Sequence, residues 1–338
     1  MPPLDTPEAE RGASPLDQLR RRSASLAALP VPGQGRTAER FNALWDLGYV
    51  ELSLGRLGEA HADSHAILRE AGRADLALVD GAAALFGVWA AEPPDGRVSI
   101  ERDGPGWRLR GTKRWCSGAA LLDRALVTAR HGEAVQLVCV DLTRSGVTPH
   151  PPGEWATPAL ASAGTRSVDL DLSLDAGALV GPPGWYLSRP GFWWGAAGVA
   201  AVWAGGAAGL LAHLLPRWRH DPISLAHLGA AHAGVEAARA TAMAVARAID
   251  AAPEMTAEEA ARLAYNTRHV ADLTAGEVID HATRALGPAP LAQDPEISQR
   301  MADLALYVRQ AHAERDLAAL GSLVMARVDP VAGEGGAP

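Results

Sequence analysis

Lysine is nearly absent from this chain. Of its 31 basic residues only Lys113 is a lysine; the others are arginines scattered along 338 positions, with Arg20-Arg21-Arg22 the tightest cluster. With a formal net charge of -8, this leaves no basic stripe to track a phosphate backbone, so a nucleic-acid groove is not expected. Cysteine is as scarce. Cys116 and Cys139 are too few for a disulfide framework or a thiolate metal site, and a reducing cytoplasm is the expected compartment. Met1 to Arg20 mixes Pro, Asp and Glu without an apolar core, so no export signal is read there. Between Gly191 and Pro216 formal charge is missing altogether, and an apolar run longer than ~18 residues is the usual flag for a membrane span. Its six glycines, His213 and terminal Pro216 favour instead a helix buried on all sides in a bundle or subunit interface, with no membrane.

The remaining composition is that of a globular protein, 48% hydrophobic and 21% charged, on a chain long enough for two or three domains. From Arg36 to Ala84 the spacing is helical in pieces. Phe41, Leu44 and Trp45 share one face, as do Leu76, Val79 and Ala83. His61 and His65 stand four apart, as two metal ligands on one helix would, but no third ligand is evident and the pair is read as structural or solvent-facing. From about Trp89 to Ser188 short strand-like runs follow: Arg97 to Arg102, Trp107 to Trp115, Arg124 to Ala129, Val135 to Leu142 and Ser167 to Leu172. A sandwich or barrel is expected. Beyond Pro190 long helices return, at Gly191 to Leu215, Ile223 to Ile249, Ala257 to Leu286 and Ile297 to Ala326, broken by Pro- and Gly-containing links. The expected fold class is thus α+β and multidomain. It comprises a helical domain (1–88), a central β domain (89–189), a four-helix bundle (190–326) and a disordered Gly- and Pro-rich tail (327–338).

Within this layout Gly111-Thr112-Lys113-Arg114-Trp115-Cys116-Ser117 resembles the Gly-x-Lys-x-Trp-x-Ser/Thr strand of acyl-CoA dehydrogenases. Glu92-Pro93 resembles that family's Thr-Glu-Pro turn, and Ala163-Gly164-Thr165-Arg166 with Val180-Gly181 resembles its return strand and the loop to the bundle. The resemblance covers residues 40 to 325, with a shortened N-terminal domain. It implies the helical, β and bundle order already read, a flavin, a small-molecule substrate such as an acyl-CoA, and a homodimer or homotetramer. It also implies that Trp115 and the Ser117 hydroxyl meet the flavin ring, with backbone contacts from Ala90 and Ala91. Lys113 sits two residues before Trp115, on the same face of an ideal strand, and is read as a solvated strand lysine.

The chain departs from the family pattern at several points. Ala91 replaces the Thr of the turn. The usual Gly-Gly-x-Gly is Gly287-Pro288-Ala289-Pro290, where proline removes backbone donors, so FMN stands as the alternative to FAD. Arg217 or Arg219 takes the place of the arginine opening the second bundle helix, without the Phe-Gly that usually follows. Dehydrogenation of an acyl thioester needs a carboxylate to remove the α-proton, and the equivalent position is Ala311. The first bundle helix supplies no Asp or Glu either, leaving His312, Glu314 or Glu92. Three readings follow: an acyl-CoA dehydrogenase-like oxidoreductase, a flavin-dependent monooxygenase of the same fold using reduced flavin and O2 with His312 near the ring, and an inactive member with a binding or scaffold role.

Overall fold

Three N-terminal helices pack on one another: α1 (Pro15–Ala27), α2 (Thr37–Val50) and α3 (Leu52–Glu70). The coordinates are a computed structural model that describes residues 12–79 and 82–326, so the expected tail 327–338 lies outside the described residues. As its spacing predicts, α2 buries Phe41, Leu44 and Trp45. The helical face expected through Leu76, Val79 and Ala83 does not form. A short 3-10 turn at Ala74–Ala77 is followed by two brief paired strands, β1 (Leu78–Val79) and β2 (Ala82–Ala83).

Eight strands make the main sheet: β3 (Phe86–Trp89), β4 (Val98–Asp103), β5 (Gly106–Cys116), β6 (Arg124–His131), β7 (Ala134–Asp141), β8 (Val147–Pro149), β9 (Arg166–Leu174) and β10 (Leu179–Val180). The order is β10-β7-β6-β4-β5-β9-β8, with β3 lying parallel to β6. The five strands expected from alternation are present with small shifts at their ends, whereas β3, β8 and β10 carry too few residues to show a period. One face of nearly every long strand sends residues into a single cluster, among them Trp89, Ile100, Leu109, Val127, Val138 and Leu170, so the sheet curves around its own core.

After a single turn, α4 (Trp185–Ser188), come the bundle helices α5 (Pro190–Leu214), α6 (Pro222–Ala251) and α7 (Ala257–Leu286), then α8 (Pro288–Gln293), α9 (Pro295–Tyr307) and α10 (Glu314–Met325). Their starts are chemically marked. Asp221 caps α6 by accepting from the Ser224 N–H, and Thr256 and Glu259 form a reciprocal capping box on α7. The uncharged α5 is buried in the bundle and crosses α2 at backbone distance. A Cβ at Gly48 would stand 2.0 Å from the Val202 carbonyl oxygen, and one at Gly205 2.1 Å from that of Trp45. This close approach explains the glycine content, and 72% of the apolar window of α5 is buried within the fold. The fourth helix, expected as one rod from Ile297 to Ala326, is two helices. It stops at Tyr307, passes through a 3-10 turn and resumes only at Glu314, because Ala311 is extended (ψ 138°) and Ala313 adopts φ +43°, neither of which an α-helix accommodates.

Candidate active site

At the end of β5 strand periodicity fails. The four residues from Lys113 to Cys116 span three on β9, Arg166 to Val168, a one-residue bulge, and Trp115 takes φ +57°. A non-glycine residue in this left-handed region carries strain of order 1–3 kcal/mol. The bulge separates Lys113 from Trp115, correcting the expectation that they share a face: the Trp115 ring is 57% exposed, whereas Lys113 is 1% exposed. Lys113 is therefore no solvated strand lysine. Its ammonium donates to the Thr128 carbonyl oxygen at 2.9 Å and to the Thr128 hydroxyl at 2.8 Å. Burial pushes its pKa down to about 8, opposed mainly by the carboxylate of Glu92.

Ser117, two residues beyond Trp115, is buried with its hydroxyl 3.1 Å from that of Thr165, and its carbonyl accepts from the Trp89 indole at 3.0 Å. The expected flavin-facing pair is thus an exposed ring beside a buried, hydrogen-bonded hydroxyl. Ala90 lines a groove of about 580 Å³ together with Glu92, Thr128, Arg130, Val135 and Leu187, a volume typical of small-molecule sites. Ala91 is exposed at its rim, and Glu92 pairs with Arg130 at 2.6 Å. Trp115 and Ser117 do not line this groove.

Behind Cys116 lies a buried ionic group that the sequence reading missed. Arg56 and Glu59 on α3 are paired, and the Tyr307 hydroxyl at the end of α9 donates to Glu59 at 3.4 Å. Burial pushes the Glu59 carboxyl up to about 7 against the pull of Arg56. Trp203 of α5 stands against the Tyr307 ring, and the Arg268 guanidinium of α7 sits 4.7 Å from the Trp203 ring centroid. The i,i+3 spacing of Arg56 and Glu59 was the one available signal, and it does not distinguish a buried pair from a surface one.

The α9–α10 junction holds the position expected for a base. Ala311 is buried there in an extended conformation, flanked by Arg268, whose guanidinium donates to the Gln310 carbonyl at 2.6 Å. The carboxylates nearby are engaged. Asp316 is 3.8 Å from the Arg268 guanidinium, and Asp272 pairs with Arg309. His312 is 59% exposed with Nδ1 3.4 Å from Asp316, and Glu314 is exposed at the start of α10. Arg217 and Gly287 lie at a corner with contacts of its own. Arg217 pairs with Asp294 at 2.5 Å, Arg219 donates to the Ala285 carbonyl, and Gly287 (φ +73°) opens α8. His61 and His65 are buried. His61 Nδ1 accepts from the Phe86 N–H, which suits a structural role, and no cluster of metal-ligating side chains forms among the described residues.

Helical domain, curved sheet and bundle in this order, with the bulged β5 end facing the helices through Cys116 and Arg56, define the class: the chain has the acyl-CoA dehydrogenase-like fold. No protein-family model matches the sequence, and no curated protein matches it either. Three solved structures give the particulars. FMN-bound TdsC from Paenibacillus sp. A11-2 superposes with a TM-score of 0.77 at 20% identity, over 95% of this chain and 91% of that one. The methanesulfinate monooxygenase MsuC from Pseudomonas fluorescens gives 0.74 at 19%, over 95% and 91%. KijD3 in complex with FMN and a dTDP-linked amino-keto sugar gives 0.77 at 17%, over 93% and 85%.

Proposed function

We propose that this chain is a flavin-dependent monooxygenase that uses reduced FMN and O2. One observation carries the choice over dehydrogenation. The position expected for the α-proton base is Ala311, buried in a break between helices, and the neighbouring Asp272 and Asp316 are held by arginines. A monooxygenase needs no such carboxylate. The structural likeness to TdsC, described as a dibenzothiophene monooxygenase, and to MsuC supports this reading, and the FMN in TdsC and KijD3 supports the cofactor. When bound, reduced flavin supplies the electrons that let O2 deliver one oxygen atom to the substrate and the other to water. The chain's part is to hold the ring against Trp115, to meet it with the Ser117 hydroxyl fixed by Thr165, and to exclude bulk water with α3, α5 and α9.

Pro288 at the start of α8 leaves fewer backbone donors for a dinucleotide, which supports FMN over FAD. His312 is the residue best placed on the α9–α10 junction to approach a ligand from solvent. A cytoplasmic homodimer or homotetramer belongs to the same reading, and the exposed Ile223, Leu225 and Leu273 on α6 and α7 support the association.

The test is direct. Purified protein reconstituted with FMN should consume O2 when supplied with reduced flavin at a rate above that of reduced flavin alone, which O2 oxidises unaided, and should show no bleaching on anaerobic addition of acyl-CoA thioesters. Bleaching by a thioester would restore the dehydrogenase reading. Failure to bind FMN or FAD would leave a binding or scaffold role. Trp115→Ala should weaken FMN binding at least tenfold with little change in the melting temperature, since the ring is exposed; unchanged binding would remove Trp115 from the site.

A further inference from the structure

Buried cations are costly, and natural proteins pair them. Lys113 is an exception: among the described residues no carboxylate lies within ion-pair distance, and its ammonium rests on two oxygens of the neutral Thr128. The charged or titratable groups that act on it are Glu92 from the segment before β4, Arg130 on β6 and Cys116 on β5 itself. Glu92 is drawn away by its 2.6 Å pair with Arg130, and Cys116 is a buried thiol pushed far up by desolvation, hence uncharged. A fixed positive charge thus remains inside the sheet. It lies two positions before the exposed Trp115 and four before Ser117, on the strand that forms the proposed flavin wall.

We propose that Lys113 is an electrostatic tuning residue: its buried ammonium, with no carboxylate in ion-pair contact, stabilises the negatively charged reduced flavin over the neutral oxidised one and so raises the cofactor's midpoint potential. This rests on the flavin reading above. Two unit charges about 10 Å apart at an effective dielectric constant near 20 attract by enough to change an equilibrium roughly tenfold. Lys113 touches no substrate in this account. Thr128 holds it in place, and its effect reaches the ring through a low-dielectric interior.

The experiment compares the FMN-loaded wild type with Lys113→Met and Lys113→Arg. Kd for oxidised FMN is measured by fluorescence, and the midpoint potential by equilibration with a reference dye. Lys113→Met should leave the oxidised Kd nearly unchanged and weaken reduced-FMN binding about tenfold, which is a potential lower by about 30 mV for a two-electron couple. Lys113→Arg, which keeps the charge, should restore the potential. A wild-type measurement needs no variant. Because the ammonium loses its proton near pH 8, the potential should show an extra fall, beyond the flavin's own pH slope, that begins near pH 8 and levels off after about 30 mV in total. An unchanged potential in a folded, FMN-binding Lys113→Met protein, together with no added slope in the wild type, overturns the proposal while leaving the flavin reading intact. A wild type that binds no flavin removes both.

Discussion

Of the three non-glycine residues with positive φ among the described residues, Trp115, Leu160 and Ala313, the first and last fall in the two segments named as candidate site positions, and these are built in opposite ways. At the end of β5, Trp115 is strained by a bulge whose neighbours are buried and hydrogen-bonded: Lys113 to Thr128, Ser117 to Thr165, and Trp89 to the Ser117 carbonyl. At the α9–α10 junction, Ala313 is strained in a segment tied by ion pairs, a half-exposed Arg309 with Asp272 and a mostly buried Arg268 with Asp316. The first is a wall whose geometry is over-determined by burial. The second is a clasp of ion pairs, half-exposed only at Arg309, carrying a small helix, α10, that buries no residue. A rigid surface opposite an adjustable one suits a site that must hold one ligand firmly and admit another.

Glu59 joins the two places, since Arg56 reaches toward Cys116 and Tyr307 ends the helix before the junction. Glu59→Ala should therefore have the largest effect, destabilising the fold by ~3–5 kcal/mol in denaturant titrations because it strands a buried Arg56. A loss below ~1 kcal/mol would mean the two regions are not coupled through this pair.

The protonation of the same residue gives the next effect. Glu59 and Glu51 are both raised to about 7, mainly by burial, with Asp303 adding to the shift of Glu51. A carboxyl whose folded pKa lies above its unfolded value binds protons more tightly when folded. Its contribution is present below the unfolded value near 4.5 and is lost as pH rises through about 7. Stability should thus decline over that window, by up to ~3 kcal/mol per group, and Glu59→Gln and Glu51→Gln should each flatten the slope in urea titrations at stepped pH.

A paired comparison then sharpens the contrast. Thr165→Val leaves the buried Ser117 hydroxyl without its partner and should cost ~1–3 kcal/mol at any salt concentration. Arg309→Ala, at the half-exposed end of the clasp, should cost under ~1 kcal/mol, and that cost should shrink in high salt. Equal costs would erase the distinction between wall and clasp. The smallest effect is expected from Ala313→Gly, which relieves the φ of +43° against the added freedom of glycine in the unfolded chain, for a net gain of no more than ~1 kcal/mol in thermal unfolding.

What could be read from the residues alone was whatever depends on short-range pattern. The face of Phe41, Leu44 and Trp45, the five longer strands, the breaks between α5, α6 and α7, and the uncharged α5 all follow from periodicity, Gly and Pro positions and the absence of charge. The Gly111 to Ser117 motif likewise pointed to the right fold. Tertiary structure decided the rest, for identifiable reasons. A one-residue bulge inverts which side chain faces inward, so Lys113 is buried and Trp115 exposed although an ideal strand would align them. The extended Ala311 and the positive φ of Ala313 divide a helix that no Gly or Pro marks. The pairing of Arg56 and Glu59 with Tyr307, 248 positions beyond Glu59, leaves no trace in local sequence, because burial turns an ordinary i,i+3 pair into the joint between sheet end and junction.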